Sequence, residues 1–310
     1  MTKTLTCLLL LSITLSANAT NKIVYGSDNR KDISRVINPK IKEISKSIAG
    51  RVDNFSFDES NGKISFANTD TLSSPWTRNL CSDEKFAKQK ILPTCTGFLV
   101  GEDLLATAGH CILDRKSNSA MSGKNIGACP SHSWLFDYKA NRRGSVKTKN
   151  ITKRNIYKCS EVIEAKLNDL EDYALIRLDR KVSGRKPLKL KSSGKTRGGT
   201  KIYVIGHPSG LPMKYANGAK VFDVHNSYFS TNLDTFGGNS GSPVFNAKTN
   251  EVEGILVRGD IDYYQTFHNG QMCSRVNVCS NNRLECIEND DSINGEHVSV
   301  ISRITKLLKK

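Results

Sequence analysis

The sequence predicts an all-β fold, and three observations carry that expectation. From Ile91 onward the chain breaks into short apolar runs separated by Gly, Asn and Asp, the texture of a sandwich or barrel built from many short strands. Helix-length periodic segments are scarce over the same region. The cysteines, once the first is set aside with an N-terminal leader, number eight, an even count that suits a cross-linked exported protein.

The leader comes first in the chain. Lys3 precedes an apolar run from Leu5 to Leu15, and Ala17-Asn18-Ala19 supplies the small residues of a signal-peptidase site. Residues 1–19 therefore read as a signal peptide cleaved near Ala19, and the mature chain as secreted, either periplasmic or extracellular. No later apolar stretch has the length of a membrane span. The 310 residues suffice for two modest domains. Formal net charge is +16, and Lys3 is the only charged residue of the leader, so the mature chain keeps +15. Such an excess favours anionic partners. The basic residues are nevertheless dispersed, with minor clusters at 181–201 and 306–310, and no basic motif is interleaved with aromatics, so no specific nucleic-acid binding is expected.

Residues 20–85 read as an N-terminal segment with room for a short propeptide. Ile23-Val24 after Lys22 fits either a mature N-terminus freed by a trypsin-like cut or a first strand. Over 33–50, Ile33, Val36, Ile37, Ile41, Ile44 and Ile48 recur at partly helical spacing, interrupted by Pro39. Residues 51–80, rich in Asn, Ser, Asp and Gly, suggest a linker or meander. Apolar runs then follow at 95–100, 104–108, 133–138, 156–165, 173–178, 201–205, 219–224, 228–233, 243–245, 252–257 and 298–304. Ile304-Thr305-Lys306-Leu307-Leu308 at the C-terminus is the one short helix expected.

Three settings carry chemistry. Ser240 sits in Gly237-Gly238-Asn239-Ser240-Gly241-Ser242-Pro243, where glycines let the backbone take positive φ and aim N–H groups at one point. A serine hydroxyl needs a base to accept its proton and a third group to orient that base. His110 lies in Thr107-Ala108-Gly109-His110-Cys111, next to a cysteine that can hold it rigid, and Asp172 immediately precedes the apolar run Tyr173-Ala174-Leu175-Ile176-Arg177-Leu178. Taken singly, each has a plainer reading: a glycine-rich turn, a capped turn histidine, an acid that starts a strand.

Together, in the order His, Asp, Ser, these motifs resemble the chymotrypsin superfamily of serine peptidases. The spelling Gly-Asn-Ser-Gly-Ser-Pro-Val-Phe and the segment Val24-Tyr25-Gly26-Ser27-Asp28-Asn29-Arg30 are most similar to its bacterial glutamyl endopeptidase branch. The resemblance implies two six-stranded antiparallel β-barrels, the first over 86–185 with the His and Asp, the second over 186–310 with the Ser and the C-terminal helix. It implies His110 as general base and acid, Asp172 as its orienting partner, Ser240 as acylated nucleophile, and the N–H groups of Gly238 and Ser240 as an oxyanion hole. An α/β-hydrolase elbow does not fit, since position 242 is Ser rather than Gly and the partners precede the serine.

The resemblance also locates a specificity pocket at Asp234, Thr235, Leu256 and Arg258. Asp234, six residues before Ser240, holds the place of the trypsin acid and points to a basic P1 residue. Leu256 stands where the glutamyl branch typically has a histidine, and Arg258 could neutralise Asp234 or meet an acidic substrate. Trypsins carry an aspartate before the nucleophile that pairs with a freed N-terminal ammonium, whereas this chain has Asn239. His207, in a Gly/Pro turn, reads as structural. Cys273, Cys279 and Cys286 could be a zinc group, but export and the even count favour disulfides. The expected pairs are Cys95–Cys111 and Cys129–Cys159, with Cys81 joined to one of the last three cysteines and the remaining two to each other. The expectation is thus a secreted, monomeric serine endopeptidase acting on protein or peptide, with no cofactor or metal. The alternative is a catalytically silent homologue that binds an anionic surface or protein.

Overall fold

A computed structural model describes residues 24–61, 63–67, 70–280 and 295–309. The signal-peptide residues 1–19 and Cys286 lie outside the described residues. Two closed antiparallel barrels account for most of the chain. The first contains β1 (Ile48–Asp53), β2 (Cys95–Leu99), β3 (Leu104–Thr107), β4 (His132–Phe136), β5 (Ile156–Leu167) and β6 (Asp172–Leu178). These run in the order β6-β3-β2-β1-β4-β5, and β5 pairs with β6 to close the ring. The second contains β7 (Lys201–Gly206), β8 (Lys214–Val224), β9 (Tyr228–Thr231), β10 (Pro243–Asn246), β11 (Val252–Arg258) and β12 (Glu296–Val300). Its order is β7-β10-β11-β12-β9-β8, closed by β7 on β8.

Strand alternation decides what each barrel buries. Successive side chains of a strand face opposite sides, so Leu99, Leu105, Ala174 and Ile176 fill the first barrel with Trp134 and Phe136. Their neighbours Phe98, Ala106, Tyr173 and Leu175 turn outward into a separate cluster with Tyr203, Ile205, Phe245, Ile255 and Val257 from the second barrel. This inter-barrel cluster welds the two domains. Each large apolar side chain in it contributes roughly 1.5 to 3 kcal/mol relative to exposure.

The first barrel begins earlier than the expected residue 86. Ile48–Asp53 is one of its strands, paired with β2 on one edge and β4 on the other. Ile48 had the spacing of the apolar helix positions before it, but its run belongs to a different element. The helix α1 spans Pro39–Ser45, buries Ile41 and Ile44 and stops two residues before the strand begins. Pro39 does not interrupt this helix. It stands at the first turn, where no intrahelical N–H partner is needed, behind an Asn38 cap that accepts from the Lys40 N–H at 2.9 Å. The run 298–304 likewise divides: the strand ends at Val300, and α2 (Ser302–Leu307) inserts Ile304 into the inter-barrel cluster.

Three disulfides join described residues: Cys95–Cys111, Cys129–Cys159 and Cys81–Cys273. The first two are the expected pairs, and the third selects Cys273 for Cys81. The expected pairing of Cys279 with Cys286 falls outside the described residues. Among the described residues no helix is long and apolar enough to cross a membrane.

Candidate active site

His110 lies on a single turn of 3-10 helix, Gly109–Cys111, directly after β3. Gly109 is required there, because a Cβ would overlap the Lys166 carbonyl and come within 3.0 Å of the Tyr173 nitrogen. That close approach sets the turn against Asp172, the first residue of β6. The His110 ring Nδ1 is 2.8 Å from Asp172 Oδ2, and the His110 backbone N–H donates to Oδ1 at 3.1 Å. Both carboxylate oxygens are therefore committed to one residue. Asp172 is only 4% exposed. Burial works against its charge, but His110, through charge and hydrogen bonds, holds the carboxyl below its ordinary range.

The Cys95–Cys111 disulfide anchors the turn from its far side. Cys95, His110 and Cys111 bring donor atoms within 4.8 Å of one another. With both sulfurs in the disulfide, this cluster offers no thiolate to a metal.

Ser240 reaches the same place from the second barrel. Gly238 and Gly241 have φ of 88° and 86°, left-handed values that glycine takes without strain. A Cβ on Gly241 would overlap the Thr96 carbonyl, and one on Gly238 would come within 2.5 Å of the His207 carbonyl. The loop thus packs directly on backbone of both barrels, and the Thr96 N–H donates to the Ser240 carbonyl at 2.8 Å. His110, Asp172, Gly238 and Ser240 line one cavity of about 540 Å³. His110 Nε2, the nitrogen turned away from Asp172, is buried and makes no hydrogen bond among the described residues.

Of the four residues expected in the specificity pocket, Arg258 alone lines this cavity. Asp234 is committed elsewhere: Oδ1 accepts from the Tyr25 N–H at 2.9 Å and Oδ2 from the Asn29 N–H at 3.0 Å. Burial pushes its carboxyl up to about 6, opposed by those two bonds. Thr235 is fully buried and donates to Glu296. Leu256 faces the interior of the second barrel, and the adjacent Val257 faces the cleft. Adjacent residues of a strand face opposite sides, which separates Leu256 from the cavity that Val257 lines. Arg258 makes no ion pair with a carboxylate among the described residues and donates only to the Asp169 carbonyl at 3.4 Å.

A second guanidinium in the cavity was not foreseen. Arg51, on β1, donates to Thr94 Oγ1 at 3.0 Å and to the Cys111 carbonyl. Residues from 51 onward read as linker or meander in the sequence, so the position of Arg51 gives no signal. His207 has the structural place expected of it: it is fully buried, and Nδ1 is 3.0 Å from the Leu211 carbonyl.

A family model described as a trypsin-like peptidase domain matches residues 95–255, just over half of the chain. The chain belongs to the trypsin-like peptidase family. Glutamyl endopeptidases of Staphylococcus epidermidis are 28% identical to this trypsin-like chain over 179 residues, which cover 55% of it and 56% of those relatives' own length. Among solved structures, a Glu endopeptidase in complex with MPD aligns at TM-score 0.46 with 15% identity, covering 93% of this chain and 98% of that one. The active form of the Rv3671c protease from M. tuberculosis aligns at TM-score 0.43 with 12% identity, covering 87% and 89%.

Proposed function

We propose that the protein is a secreted serine endopeptidase that cleaves through an acyl-enzyme on Ser240. The observation that carries this reading is the doubly bonded His110–Asp172 pair in one cavity with Ser240. Asp172 fixes the ring with Nδ1–H toward itself, which leaves Nε2 as the base. Nε2 takes the Ser240 proton as Oγ attacks the scissile carbonyl, then returns it to the leaving amine. The N–H groups of Gly238 and Ser240 receive the oxyanion.

For specificity, the cleft supports acidic rather than basic residues beside the scissile bond. Asp234 has both oxygens committed to backbone, whereas Arg258 lines the cavity without an ion pair to a carboxylate among the described residues, and Arg51 lines it as well. The relatives' name, glutamyl endopeptidase, accords with this. A fluorophosphonate probe should label the wild-type protein and leave Ser240→Ala unlabelled. Profiling on a peptide library should return cuts next to Asp or Glu, and Arg258→Gln should flatten that preference. Equal labelling of both proteins would remove the enzymatic claim, and cuts after Lys or Arg would restore the basic pocket.

A second reading, association with an anionic surface, is favoured by a separate groove of about 950 Å³ lined by Lys31, Arg35, Lys85, Lys88, Lys90 and Arg143. Its two acids are already neutralised, Asp32 by Lys214 and Glu84 by Arg275. Substituting Lys88 and Lys90 by Glu should lower the salt needed to elute the protein from heparin more than the same changes at Lys195 and Lys201. An equal shift would assign retention to net charge alone.

A further inference from the structure

A backbone oxyanion site depends on the orientation of a single peptide plane, here the one joining Gly237 to Gly238. Both polar groups of Gly237 are held. Its N–H donates to Asp262 Oδ2 at 3.0 Å, and its carbonyl accepts from the Ser209 N–H. The Gly238 carbonyl is held in turn by Thr96 Oγ1 at 2.8 Å. Across a trans peptide the C=O and the following N–H point in opposite directions. Fixing the Gly237 carbonyl on Ser209 therefore aims the Gly238 N–H away from the 207–211 loop. Rotation of that plane would put a carbonyl oxygen where the oxyanion needs a donor.

Ser209 is an unusual residue to supply this bond. It is a buried non-glycine at φ 50°, ψ 28°, a strained backbone conformation that persists only where its surroundings impose it. Part of that imposition comes from Tyr263, whose hydroxyl is 2.6 Å from Ser209 Oγ. Tyr263 opens the hairpin Tyr263–His268/Gln271–Val276, which the Cys81–Cys273 disulfide staples to the 70–90 segment. Asp262 is the residue before it. Two consecutive residues thus act on the two ends of one glycine, Asp262 on its N–H and Tyr263, through Ser209, on its C=O.

Asn239 gives this arrangement its significance. An aspartate in that place could form an ion pair with a freed N-terminal ammonium, but a neutral amide cannot. We infer that Asp262, together with Ser209 and Tyr263, positions the Gly237–Gly238 peptide with its N–H turned into the cleft, forming the oxyanion site without an N-terminal ion pair. The inference rests on the peptidase reading, and all three are positioning residues that act through Gly237.

The test measures kcat, KM and inhibition by a peptide trifluoromethyl ketone, whose adduct with Ser240 carries an oxyanion. Asp262→Ala is expected to lower kcat by about 10- to 100-fold with KM little changed. Ketone affinity should fall by the same factor as kcat/KM. Asp262→Asn, which keeps an acceptor oxygen, should recover most of the loss, and Tyr263→Phe should show a smaller loss of the same kind. If Asp262→Ala fails to fold, Tyr263→Phe and Ser209→Gly decide the matter. The second keeps the N–H and the backbone angle while removing the hydroxyl, so the two must agree. Variants that keep wild-type kcat per folded molecule, or whose ketone affinity does not follow kcat/KM, would overturn the inference while leaving the peptidase reading intact. A wild-type protein without labelling or turnover would overturn both.

Discussion

On the first-barrel side of the cleft two side chains meet directly, with His110 and Asp172 sharing two hydrogen bonds and a disulfide beside them. On the second-barrel side the proposed mechanism draws on backbone groups of 237–241, shaped by glycines and held by Thr96, the 207–211 loop and Asp262. The two sides therefore differ in what a substitution can reach. A side-chain device is broken by changing its own residues. A backbone device yields chiefly to changes in whatever holds it, or to a Cβ where none fits.

Asp172→Asn should expose the side-chain half with the largest effect. The amide nearly matches the carboxylate in shape, but one of its two heads donates, and His110 Nδ1 already carries the proton that must face Asp172. The ring then either loses its partner or turns its Nε2 proton toward Ser240, where a base is needed. A fall in kcat of about 10⁴-fold is expected, with the fold retained. Steady-state kinetics with a peptide substrate measure it, and a loss smaller than about tenfold would show that Asp172 does not orient the base.

The same contrast explains how much of the site was legible in the sequence. His110, Asp172 and Ser240, which the structure gathers in one cavity, stand out in the sequence because side-chain chemistry confines each to a short local setting. The barrel strands from residue 95 onward could be read because their apolar runs alternate between turn residues. Leu256 was misassigned because identity along a strand does not reveal which face a residue takes, and in this barrel Val257 faces the cleft. Asp234 misled for a related reason. Its partners are N–H groups of Tyr25 and Asn29, more than 200 positions away, and backbone leaves no trace in side-chain composition. Ser209, Asp262 and Tyr263 were invisible for the same reason, and β1 was hidden because Ile48 kept the spacing of the helix before it.

Acid should separate the two halves more gently. Asp172 is held below its ordinary range, so its contribution to stability is complete above the unfolded carboxyl value and is lost only as pH falls through a still lower one. His207, at the root of the loop that holds Gly237, behaves differently. Burial, with the nearby Lys214 charge assisting and the Leu211 carbonyl opposing, lowers its pKa to about 4 from 6.5. An unfolded chain takes up that proton from about pH 6.5 downward, whereas the folded chain resists it until about pH 4. Stability therefore falls as pH drops through this window, by up to about 3 kcal/mol from this one group. His207→Gln removes the titration, so between pH 7 and pH 4.5 the wild-type protein should lose more stability to urea than the variant does. Parallel losses would detach His207 from the acid response. A difference in the predicted sense would place the first acid-sensitive joint of the cleft on the backbone-held side, where His207 supports the loop around Ser209, while the His110–Asp172 pair remains bonded.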